Sequence, residues 1–192
     1  MKACDPQYRV LPAPPSSILR VEDRFLYFYS TAANVSFILL GFWWAVVSLR
    51  RDYWTADPLR RRIGYFTSLH FVVMGISSLI SLLSAQDALI WRAGYGLGGV
   101  VGVVAALMVS ENSRRSVGSS RVPLYVQGWR ALAVLYVASI VIAVGGPELV
   151  ENMGFGVRAI EIEAVLTGLL LFLGAQVTWA LFVVSWEPSS SE

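Results

Sequence analysis

Lysine, histidine and cysteine are almost missing from this chain of 192 residues, which has one of each. The single cysteine, Cys4, excludes an intrachain disulfide and a cysteine-based metal cage. One histidine, His70, is too few for a bis-histidine haem site. The lone lysine, Lys2, precedes every apolar run, so no span carries the lysine that a retinal Schiff base needs. The H-E-x-x-H zinc motif and the G-x-S-x-G serine elbow are absent, as is any convergent set of acid, base and nucleophile. The expectation is therefore a protein that is not an enzyme and that needs no cofactor and no metal. Gly94-Tyr95-Gly96-Leu97-Gly98-Gly99 lies inside an apolar run, so it is not a phosphate-cradling loop. The basic residues fall in short turns with no stacking aromatics outside them, which argues against nucleic acid as a partner. The first residues are charged and proline-rich and do not read as a secretory signal. No internal repeat is visible.

Charge is also scarce, at 15% of residues against 56% hydrophobic, where soluble domains carry about a quarter charged. Several apolar runs reach the roughly 20 residues that cross a bilayer. The fold class this implies is all-α: a polytopic membrane protein built as a bundle of five transmembrane helices. Spans are expected at about 25–49, 63–84, 88–110, 124–144 and 159–186, within a domain of residues 18–186. Residues 1–17 read as a loosely ordered tail and 187–192 as a short acidic one. Ala85-Gln86-Asp87 should be a tight turn, and Gly145-Gly146-Pro147 should break the fourth span.

Arginine sets the expected orientation. The turns after the first and third spans hold Arg50, Arg51, Arg60, Arg61, Arg62, Arg114, Arg115 and Arg121, whereas the alternate turns hold only Arg158. Positive residues stay on the cytoplasmic side, so the N-terminus is expected outside and the C-terminus inside, in the cell membrane. Trp54, Tyr65, Tyr125, Trp129 and Trp186 then fall at the inner boundary, and Tyr27, Trp91 and Tyr95 at the outer one.

Four features invite closer reading. Gly94, Gly98, Gly102 and Ala106 recur every four residues and make a bare stripe, the pattern that lets a neighbouring helix backbone come close. This marks the third span as the packing axis. On the second span, Thr67, His70, Met74, Ser77, Ser81 and Ser84 share a polar face, with His70 near mid-membrane. Either that seam lines a path in which His70 titrates, or His70 is a neutral histidine held by a neighbouring helix. Arg92 and Glu163 lie at matching depth, so an ion pair is expected there, serving either as a charge filter at the outer mouth or as an interfacial contact. Arg130 is expected to pair with Glu111, Asp52 or Asp57, or else to snorkel. Gln176, central in its run, is expected to bond across helices. The leading functional expectation is a homo-oligomeric channel or pore-like transport protein whose path runs between subunits. The alternative is a non-catalytic accessory or scaffold subunit of a larger membrane complex. Membrane lipid, further copies of the chain or other membrane subunits are the expected partners.

Overall fold

The computed structural model describes residues 16–83, 88–117, 124–154 and 158–186. The expected terminal tails, Ser84 and the Ala85-Gln86-Asp87 turn lie outside or largely outside the described residues. All regular structure within them is helical: α1 (Ser16–Leu49), α2 (Arg51–Thr55), α3 (Pro58–Leu83), α4 (Ala88–Val117), α5 (Leu124–Met153) and α6 (Ala159–Trp186). Five of these are long and apolar enough to cross a membrane, which makes the chain a multi-pass membrane protein. In lipid the backbone must satisfy its own hydrogen bonds, so even the glycine-rich α4 stays helical.

Helix ends depart from the expected spans for local reasons. Asp57 caps α3, its carboxylate accepting the Leu59 N–H at 2.9 Å, and Pro58 supplies a first-turn residue that needs no donor. Helix α3 thus begins within the arginine-rich turn. Helix α4 continues past the expected boundary because Glu111 pairs one turn ahead with Arg115 at 3.0 Å and with Arg114 at 3.9 Å. The expected break at Gly145-Gly146-Pro147 does not occur: α5 runs on to Met153. Its stop is Gly154, whose φ of 66° is the left-handed conformation that ends many helices.

The helices close into a ring. Helix α1 packs on α3, α3 on α4, α4 on α5 and α5 on α6, while α6 returns to α1 and α3. Helix α3 is the most enclosed, with 56% of its apolar window buried against 39% for α4 and 22% for α1. It is α3, and not the glycine-rich α4, that forms the axis. The glycine stripe fails as a single seam because steps of four residues drift by about 40° each around a helix of 3.6 residues per turn. Gly94 and Gly98 face Ile80 and Ser77 on α3, whereas Gly102 faces the Tyr136 ring on α5. What fills the stripe is side chains, not a neighbouring backbone. Ala106 is fully buried, and the other side of α4 exposes Leu97, Val100, Val104 and Leu107.

The aromatics expected at the boundaries mostly turn inward. Trp54, Trp91, Tyr95, Tyr125 and Trp129 are buried, whereas Tyr27 and Tyr65 are exposed. Trp43 donates its indole N–H to the Gly64 carbonyl at 2.9 Å and meets Trp54 edge to face. These contacts tie α2 to the first turns of α3. Gln176 points outward and makes no bond across helices among those described.

Candidate functional site

The polar face of α3 is enclosed by the bundle rather than presented to a second subunit. Thr67 and His70 are fully buried, and Ser77 and Ser81 nearly so. A path between subunits would not reach them. The polar groups separate into two levels along the bundle.

The first level is centred on His70, about 18 Å along α3 from Pro58 at 1.5 Å per residue. Its Nδ1 is hydrogen-bonded to the Tyr136 hydroxyl on α5 at 2.7 Å. The rings of Phe71, Trp129 and Tyr136 surround it edge to face, with centroids 5.1, 6.0 and 5.7 Å away. On the α6 side, Nε2 occupies space that a side chain at Gly174 would fill. The ring also faces the Leu170 carbonyl there. An aromatic wall, one hydroxyl and a close-fitting glycine surround His70, and its Nε2 is left without a hydrogen-bond partner among the described residues. Thr67, one turn away, is equally enclosed.

The second level lies nearer the opposite end, about 6 Å into α6. Glu163 is fully buried. Its Oε1 accepts the Ser139 hydroxyl of α5 at 2.6 Å, and its Oε2 has no hydrogen-bond partner. Close to it is a set of hydroxyls from four helices, linked through Tyr95. Tyr95 on α4 meets Thr167 on α6 at 3.3 Å, and the same Tyr95 hydroxyl faces those of Ser81 on α3 and Tyr29 on α1. Tyr29 donates to the Ile160 carbonyl at 3.2 Å. Both tyrosines are close enough to Glu163 to interact with it electrostatically. Ser81 donates back to the Ser77 carbonyl at 3.0 Å, which leaves its oxygen open as an acceptor. The result is a carboxyl group next to a cluster of hydroxyls, together a small chamber, with one carboxyl oxygen uncommitted. Such an arrangement can hold a proton or a small cation.

Comparison with protein-family models, curated proteins and solved structures finds no match. The reading of the chamber therefore rests on its own chemistry.

The expected charge pairs form differently. Arg92 and Glu163 make no ion pair among the described residues; Glu163 turns to Ser139, and the Arg92 Nε is buried without a partner. The reason is rotational: residues at matching depth meet only if their helices also turn them toward each other. Glu111 is occupied by Arg114 and Arg115, and Asp57 by its helix cap. Arg130 is exposed and forms no ion pair among the described residues, which fits an arginine that snorkels. Glu161, two residues from Glu163, binds Arg158 at 3.1 Å and faces away from the chamber. Among the described residues no group of three His, Cys, Asp or Glu gathers as a metal site.

Sequence reasoning missed Tyr29, Tyr95, Ser139 and Thr167 as members of this set. Thr167 stands four residues after Glu163, one helical turn, so the two share a face. That spacing is the available signal on α6. Nothing local marks Ser139 or Tyr29, which reach the chamber from other helices.

Proposed function

We propose that the chain is a membrane transport protein in which Glu163 is the ion-handling group, with the polar path running through the bundle of one chain. The supporting observation is a fully buried carboxyl with one oxygen on Ser139 and the other unpartnered. An isolated buried carboxylate costs several kcal/mol, so the group carries a proton or accepts a cation at its free oxygen. Ionisable groups within membrane spans mark ion pathways and relays for this reason. His70, packed among rings with Nδ1 bonded to Tyr136 and Nε2 unpartnered, is assigned to the architecture of the bundle. The uneven distribution of arginine supports a cytoplasmic placement of the α2 end in the cell membrane, with the N-terminus outside and the C-terminus inside. Labelling of Cys4, the chain's only thiol, by a membrane-impermeant reagent in intact cells tests that orientation.

The deciding measurement is proton or monovalent-cation flux into proteoliposomes containing the purified chain. Flux carried by the wild type and lost in Glu163→Gln supports the reading. A wild type that carries neither, under an imposed gradient of each, ends it.

A second reading, an accessory subunit of a larger membrane complex, draws on a groove of about 260 Å³ between α1 and α6. Phe42, Val46, Ala175, Trp179 and Phe182 line it, together with Thr178, whose hydroxyl is buried and unpartnered. Co-purification of a stoichiometric foreign membrane subunit, together with absence of flux, favours that reading.

A further inference from the structure

The basic end of the bundle holds a second site, independent of the Glu163 chamber. A cavity of about 610 Å³ opens between the end of α1, the short α2 and the first turns of α3. That size is within the range of small-molecule sites, about 300–1,000 Å³. Its walls include Arg51, Arg61, Trp54, Thr55, Trp44 and Tyr65.

Three observations indicate what it takes. First, two guanidinium groups border it, and neither Arg51 nor Arg61 forms an ion pair among the described residues. Neither Asp52 nor Asp57 forms an ion pair with them among the described residues, and Asp57 caps α3. Second, Trp54 is 4% exposed, yet its indole N–H has no hydrogen-bond partner. A buried donor without an acceptor costs about 1–3 kcal/mol, and this one belongs to a ring that forms part of the cavity wall. Third, Trp44 and Tyr65 are about half exposed on the apolar flank of the cavity, the position that amphipathic rings take at the headgroup level of a bilayer.

We propose that this cavity binds the phosphate of an anionic phospholipid headgroup. Arg51 and Arg61 meet the phosphate oxygens, the Trp54 ring forms part of the wall, and Trp44 and Tyr65 flank the start of the acyl chains. The two arginines supply the positive charge that selects an anionic lipid over a zwitterionic one. Arg61 also borders the neighbouring cavity with Arg62 and Asn112, so positive charge continues along this end of the bundle.

The test uses the full chain, purified in detergent and offered phosphatidylglycerol or phosphatidylcholine, with retained lipid counted by native mass spectrometry. The expected result is preferential retention of phosphatidylglycerol. Arg51→Gln and Arg61→Gln each reduce that preference about five-fold, the effect of one basic contact at a membrane surface. Both side chains are exposed, so gel filtration should show the folded protein in each case. Arg114→Gln, an exposed arginine paired with Glu111 at the same end, leaves the preference unchanged. Equal retention of phosphatidylcholine overturns the proposal, as does a loss in Arg114→Gln as large as in Arg61→Gln. Displacement of the lipid by excess inorganic phosphate overturns the lipid assignment and makes the cavity a site for free phosphate.

Discussion

The middle of the bundle and the end opposite α2 each enclose an ionisable side chain completely, and they surround it with different materials. Around His70 stand three aromatic rings, one tyrosine hydroxyl and the bare backbone of Gly174. Next to Glu163 is a cluster of hydroxyls contributed by α1, α3, α4, α5 and α6, and one carboxyl oxygen is left free. The contrast teaches that burial alone does not distinguish a structural polar group from a functional one. Each leaves one polar atom unpartnered among the described residues, His70 Nε2 and Glu163 Oε2, so what distinguishes them is the material around that atom. Aromatic rings packed against a glycine backbone resist change and contribute to stability. Hydroxyls offer oxygen ligands to a small cation or partners to a proton.

Substitutions can break that contrast, and their effects on stability should fall in a definite order. The largest is expected for Gly174→Val, whose side chain collides with the His70 ring. Overpacking of this kind costs about 1–3 kcal/mol and sometimes more, seen as a lower melting temperature and poorer yield of monodisperse protein; a wild-type melting curve would mean that the His70 pocket is loose. Next is Tyr136→Phe, which leaves the buried His70 Nδ1 without its partner at a cost of about 1–3 kcal/mol. Thermal unfolding in detergent should register that cost while flux persists, and a variant that is stable yet transport-dead would move the ion-handling role to His70. Ser139→Ala removes one donor to Glu163, for about 1 kcal/mol, and should slow flux measurably. The smallest loss of stability is expected for Glu163→Gln, within about 1 kcal/mol, because a neutral amide replaces a carboxyl of the same shape. Yet this variant should abolish flux. The rankings by stability and by transport thus run in opposite directions, and a parallel ranking would erase the distinction between the two levels.

Much of the scaffold is legible in the order of the residues. The apolar runs locate all five spanning helices, and the scarcity of cysteine and lysine removes whole classes of chemistry. His70 and Glu163 stand out as ionisable residues inside apolar runs. Helix ends are less legible: Gly145-Gly146-Pro147 reads as a stop, but a proline in a lipid-embedded helix frees only a local backbone group that its surroundings can satisfy. The glycine stripe is visible, but its division between α3 and α5 is not, because a four-residue repeat drifts around the helix. An Arg92–Glu163 pair follows from depth alone, and depth does not specify the direction in which a side chain points.

By itself, the sequence determined that this chain is helical and crosses lipid several times, because hydropathy is a local property and a bilayer compels the backbone to bond to itself. It also determined which end of the bundle is rich in arginine. Only the tertiary structure decided which polar residues meet. Tyr136 and His70 are 66 positions apart and Ser139 and Glu163 are 24 apart. Their contact depends on the rotation and depth of each helix against its neighbours, and those are set by the packing of many side chains at once.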